Sequence, residues 1–183
     1  GVTGVQTVCS SDLKALGNGY AITAIIGRRD IMQAAQSTFI SSTFWTERIG
    51  PTAGLKTLEV MERIRSWEYI TQTGLKIRSL WQSLAESHGL KIKHWGLPAL
   101  TGFTFQSTNA LHYKTLLTQE MLAKGYLAAN SVYVCTEHTP QIIDGYFAAL
   151  DPVFAVIREC EEGRDVTSLL KGQVCHSGFK RLN

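Results

Sequence analysis

No two cysteines of this 183-residue chain lie close enough in sequence to form a metal knuckle: Cys9, Cys135, Cys160 and Cys175 are widely separated, with no C-x-x-C among them. The same spacing gives no disulfide framework, so a reducing, cytoplasmic setting is expected. The five histidines show no metal-ligand spacing. Cys175 and His176 are adjacent, and neighbouring side chains rarely converge on one ion, so no metal site is expected. No apolar run approaches the about 20 residues that a membrane-spanning helix requires. Basic clusters are missing too. The 18 Lys and Arg are interspersed with 15 Asp and Glu, for a net charge of +3. That distribution gives no footprint for nucleic acid or for a membrane surface. Low-complexity tracts are absent. The hydrophobic fraction of 44% is ordinary, and the length suffices for one compact domain or one and a half.

What the chain does have is Lys14-Ala15-Leu16-Gly17-Asn18-Gly19-Tyr20, followed at once by the apolar run Ala21-Ile22-Thr23-Ala24-Ile25-Ile26. Two glycines free the backbone to bend tightly, and a buried strand after them would anchor the turn in a core. Such a setting holds a lysine at the edge of a sheet. An amine beside apolar strands loses part of its ammonium character, because desolvation disfavours the charged form. A neutral amine is what attack on an aldehyde needs. On turn chemistry alone, a solvated surface lysine is the commoner outcome.

The residues Lys14 to Gly27 resemble the region around the cofactor lysine of class III pyridoxal-phosphate aminotransferases, in the branch that contains glutamate-1-semialdehyde aminomutase. The resemblance continues in order nearly to the C-terminus. It implies an enzyme that moves an amino group between an amino acid or amine and a carbonyl compound, by transfer or by mutase chemistry. Pyridoxal 5'-phosphate would be held as a Schiff base on Lys14. The implied partners are small amino and keto substrates and, in the full-length protein, a second copy forming a homodimer. In that family the aspartate for the pyridine nitrogen, the aromatic residue on the ring and the main phosphate loop precede the lysine. They would lie upstream of Gly1, so the chain is read as a C-terminal fragment without useful activity of its own.

Residues 1–13 show neither helical nor strand periodicity and no signal-peptide pattern. The family has a small residue just before the lysine, and Leu13 stands there. The segment resembles translated adapter read-through, with authentic sequence expected to resume at or near Lys14.

After the turn, Ala21 to Gly27 reads as a buried strand, and Asp30 as the cap of a helix over Ile31 to Gln36. Ser37 to Arg48 is a polar and aromatic loop. Its hydroxyls suit an anion, although a surface or capping cluster explains them equally. The resemblance assigns Thr43 to the cofactor phosphate of the neighbouring subunit, with Ser42 beside it. Most relatives have Gly-Asn-Pro shortly after that threonine. Here Thr46-Glu47-Arg48 follows, and Glu47 and Arg48 are either substrate contacts or a surface ion pair.

From Ile49, the spacing of Leu55, Leu58, Met61 and Ile64 predicts a long helix burying that face. Gly74 is expected to break it, with a second stretch through Leu75, Leu80, Trp81 and Leu84 ending near Gly89. A domain boundary is placed between Arg63 and Gln72. The resulting division is 14–66, remnant of a large cofactor-binding domain, and 67–183, a small C-terminal domain. Leu90 to Gln106 alternates as a hairpin of two strands turning at Gly96-Leu97-Pro98. A helix over Ala110 to Lys124 follows, then a strand from Ser131 to Cys135. Thr139-Pro140 cues a last helix that buries Ile143, Phe147, Leu150, Phe154 and Ile157, and a short helix is expected within Asp165 to Lys171. The fold class is α/β, becoming α+β in the C-terminal part, where helices cover one side of an antiparallel sheet.

His138 is read as a capping or packing residue, and Trp67, Trp81 and Trp95 as core or interface anchors. Two other readings of the whole chain stand beside the enzyme: a non-catalytic dimerisation or interaction domain, and a nucleotide site using Lys14. The second is disfavoured, since the lysine precedes the glycines instead of following them.

Overall fold

The computed structural model describes the backbone of residues 8–12 and all of residues 14–39 and 46–178. The chain forms two compact units, Gly1–Arg65 and Ser66–Asn183.

In the first unit, strand β1 (Val8–Asp12) leads into a single helical turn, α1 (Lys14–Gly17), and strand β2 (Thr23–Gly27) returns beside β1. The pairing is antiparallel, with Ser10 opposite Ile25. The 1–13 segment therefore carries a strand that its side-chain pattern does not announce. Ladder hydrogen bonds come from the backbone, and a partner strand can impose them on an unpatterned sequence. β2 also departs from expectation, since it is mostly exposed, with Ile26 at 64%. A two-stranded ribbon has no second layer of its own to bury both faces. After β2 come α2 (Arg29–Met32) and a 3₁₀ segment (Gln33–Ser37), where one regular helix was expected. Asp30 does not cap. It lies inside the first turn and pairs with Arg28, Nη2 to Oδ2 at 2.7 Å.

Helix α3 (Ile49–Ile64) closes the unit. Its Leu55 is 71% exposed and Leu58 and Ile64 are also exposed, so the expected apolar stripe is not the buried one. The inward face is instead built on Gly50 and Gly54. The helix ends at Arg65, whose φ of 50° and ψ of 46° are left-handed. That residue, and not Gly74, interrupts the helical run.

The second unit opens with α4 (Ser66–Ser87), which runs straight through Gly74. The glycine is there for space: a β-carbon at 74 would overlap the carbonyl of Pro98. Strands β3 (Ile92–Leu97) and β4 (Leu100–Phe105) form a two-residue hairpin at Pro98-Ala99, with Gly96 at φ 80°. The short strand β5 (Ser131–Tyr133) adds to β4, giving the antiparallel order β3-β4-β5. Helices α5 (Ala110–Ala123) and α6 (Pro140–Glu161) complete the layer, and a 3₁₀ turn spans Thr167–Leu169. Thr139 caps α6, accepting from the Ile142 N–H, as Thr-Pro foretold.

The core sits between the inner face of the sheet and α4, α5 and α6. Trp81, Phe103, Tyr113, Leu117, Leu150 and Phe154 are fully buried there. Phe103 meets Trp81 edge-on at 4.9 Å and Phe105 at 5.3 Å, a geometry that aromatic quadrupoles favour. Phe147, expected in this core, is only partly buried, and Val153 is buried instead. Of Trp67, Trp81 and Trp95, Trp81 is the core residue; the other two stand nearly half-exposed. Among the described residues, no helix is long and apolar enough to cross a membrane, and no cluster of His, Cys, Asp or Glu could hold a metal.

Candidate active site

Lys14 begins α1 immediately after β1. The turn closes locally: the Asn18 N–H donates to the Lys14 carbonyl at 3.1 Å, and the Tyr20 N–H donates to that of Gly17 at 3.1 Å. Asn18 and Gly19 are both left-handed, with φ of 46° and 100°. Glycine adopts that conformation without cost, and asparagine is among the few other residues that visit it. The chain therefore reverses within two residues and delivers Ala21 and Ile22 back against α3.

There the packing is tight. Gly17 is buried under Ile22, and a β-carbon at Gly50 would overlap the Ala21 carbonyl oxygen. One at Gly54 would stand 3.4 Å from both Leu16 and Ile22. The glycines are one helical turn apart on α3, so they form a flat strip against which the lysine turn lies. This strip is absent from the sequence reading. The spacing Gly50-Pro51-Thr52-Ala53-Gly54, with small residues four apart opposite a Gly-rich turn, is the signal that could have found it.

The lysine itself is exposed, and its amine makes no ion pair or hydrogen bond among the described residues. The strand expected to be buried beside it, β2, is mostly exposed. Glu47 and Arg48 precede α3 and are exposed. No ion pair joins them among the described residues. Arg48 is the residue before the helix, and its carbonyl accepts from the Thr52 N–H at 3.0 Å. Ser42 and Thr43 lie outside the described residues.

In the second unit, His138 does hold its turn. Its Nδ1 accepts the Cys135 N–H at 3.0 Å, and its carbonyl accepts the Tyr69 hydroxyl at 2.9 Å. His94 stacks on Trp81 and meets Gln82 Oε1 at 3.2 Å, with Nδ1 buried and unpartnered. Burial, aided by Arg78, holds its pKa below the usual histidine range.

Solved structures similar to this chain include transaminases. The chain aligns with FumI of Sphingopyxis sp. MTA144, solved in its pyridoxal-phosphate internal aldimine form, at TM-score 0.74 and 21% identity, covering 90% of this chain and 40% of that one. An S-selective transaminase from Arthrobacter sp. gives 0.69 and 19%, covering 86% and 40%. In sequence, the chain is 31% identical over 144 residues to 3-aminobutyryl-CoA aminotransferase of Cloacimonas acidaminovorans, covering 75% of this chain and 35% of the relative. It is 24% identical over 158 residues to glutamate-1-semialdehyde 2,1-aminomutase of Methanocaldococcus jannaschii, covering 77% and 37%. No family model matches. The fold is thus that of part of a pyridoxal-phosphate transaminase. More narrowly, the chain is related to the class III aminotransferases, the group that takes in glutamate-1-semialdehyde aminomutase. It spans little more than a third of the length of these curated relatives.

Proposed function

We propose that this chain is the C-terminal part of a pyridoxal-phosphate-dependent aminotransferase or aminomutase, with Lys14 as the residue that attaches the cofactor. The carrying observation is the placement of that amine. Lys14 is the first residue of a single turn tied to α3 through Gly50 and Gly54, and its side chain is exposed and has no partner among the described residues. A primary amine with those properties fits an aldehyde cofactor. A lysine locked in an ion pair would not.

When bound, pyridoxal phosphate supplies an electron sink for the negative charge that develops on the substrate carbon. The chain supplies the rest. Lys14 Nζ would hold the cofactor covalently and, when freed from it by the substrate amine, would serve as the base that moves a proton from and back to the substrate. The Thr43 and Ser42 hydroxyls would donate to phosphate oxygens, Thr43 across a homodimer boundary. Glu47 and Arg48 would face the substrate side. Amino acids or amines and their carbonyl counterparts are the substrate class, and the names of the relatives support that choice.

The test is to saturate the chain with pyridoxal phosphate, reduce with borohydride and map the adduct by mass spectrometry, alone and joined to its upstream sequence. A stoichiometric pyridoxyl group on Lys14 in the longer protein, lost in Lys14→Ala, is the expected result. An adduct spread over surface lysines would sink the assignment. Efficient transamination by the 183-residue chain alone would refute its reading as an inactive fragment.

A further inference from the structure

A cavity of about 360 Å³ lies in the second unit among α4, β5, the 126–128 segment and the first turns of α6. Its walls are mainly apolar, among them Ile77, Val132 and Ile143, and no carboxylate, lysine or arginine lines it. Two polar groups on its lining have a fixed hydrogen-bonding sense. Tyr146 Oη accepts the indole N–H of Trp81 at 3.0 Å. Its own proton has no acceptor among the described residues. His138 Nδ1 accepts the Cys135 N–H at 3.0 Å, which places the ring proton on Nε2. Both side chains are thereby committed as donors. The adjoining first turn of α6, capped by Thr139, carries no acidic residue, and the positive end of a 22-residue helix favours an anion on this side. Both side chains are partly buried, and a cavity that gathers two donors beside apolar walls is complementary to an oxygen anion on a hydrocarbon body.

We infer that this cavity binds a small apolar carboxylate, its hydrocarbon part against Ile77, Val132 and Ile143 and its carboxylate accepting from Tyr146 Oη–H and His138 Nε2–H. The environment of Tyr146 agrees with a donor that stays protonated, since burial pushes its pKa up to about 12. No residue of the first unit takes part, so the site stands or falls independently of Lys14.

The experiment uses octanoate as probe against the full 183-residue chain at neutral pH, followed by calorimetry and by the NMR signals of the His138 and Tyr146 rings. Saturable binding that shifts both rings is expected. Octylamine, with the opposite charge, should not bind. Tyr146→Phe removes one hydrogen bond to a charged group and should weaken octanoate about tenfold or more. That variant also changes the acceptor for Trp81, so Ala128→Phe, which fills the cavity and keeps the Trp81–Tyr146 bond, serves as the second variant and should abolish binding in a chain that still melts cooperatively. Absent saturation in the wild-type chain, equal binding of the amine, or undiminished binding in folded Ala128→Phe would each overturn the site.

Discussion

The α-carbon of Gly50 faces the carbonyl of Ala21 so closely that no side chain could stand between them. At Gly50 the separation of helix α3 from the lysine turn is therefore set by a backbone carbonyl that cannot swing aside, while the Leu16 and Ile22 side chains fill the contact at Gly54.

Gly50→Ala should accordingly pry α3 from the turn. Alanine favours a helix over glycine by about 1 kcal/mol, whereas forced overpacking costs about 1–3 kcal/mol. Because the obstacle is a carbonyl, the steric term should win. The expected outcome is faster amide exchange at Asn18 and Tyr20, measured by hydrogen–deuterium exchange, together with a lower yield of borohydride-trapped adduct on Lys14 in the longer protein.

Two glycines of the second unit should respond unequally. A β-carbon at Gly74 meets the backbone of Pro98, while one at Gly102 meets only the ring of Trp95, which is 43% exposed and free to swing outward. Gly74→Ala should destabilise by about 2 kcal/mol or more and Gly102→Ala by clearly less. Thermal melts of the two variants check the order.

His94 gives stability a pH dependence. Its folded pKa lies below the unfolded value of 6.5. The unfolded chain thus binds the proton more readily once pH falls under that value. The contribution is complete above about pH 6.5 and declines as pH drops from there towards the folded pKa. In His94→Phe, the slope of urea-derived stability between pH 5 and 6.5 should flatten. An unchanged slope would assign the acid sensitivity to other groups.

Tyr113 is fully buried, and its hydroxyl makes no hydrogen bond of good geometry among the described residues, although Glu161, Asn109 and Ser107 lie beside it. Its pKa is raised, first by burial and then by the nearby Glu161. Tyr113→Phe removes an unsatisfied polar group while keeping the ring against Phe105. Stability should stay level or rise by up to about 1 kcal/mol, which chemical denaturation would reveal. A loss above that would show that the hydroxyl is hydrogen-bonded in solution.

The second unit was the more legible half. Thr139-Pro140, the Phe103–Phe105 alternation and the spacing of Ile143, Leu150 and Ile157 each encode structure locally, through a cap, a period of two and a period near 3.6. Phe147 shares that spacing but stands at the edge of the layer. Gly74 misled because a helical glycine looks like a breaker until the chain 24 residues later is seen pressed against it. Arg65 carried no sign of its left-handed backbone. In the first unit, Ile25, Ile26, Leu55 and Leu58 have the composition of a core and are exposed, since apolar character says that a surface wants cover and not which chain provides it. Lys14 was singled out by its neighbours and by resemblance. The strip of Gly50 and Gly54 beneath it was not, because close approach leaves no residue behind to read.

Trp81 is wholly enclosed, with its N–H tied to Tyr146, whereas Trp67 and Trp95 face outward. The second unit therefore carries built-in optical probes of two kinds. In a Trp45→Phe chain, which lacks the one tryptophan outside this unit, aqueous iodide should quench the outer pair and leave a blue-shifted emission from the inner one, so a simple fluorescence titration reads the integrity of this core without any added label.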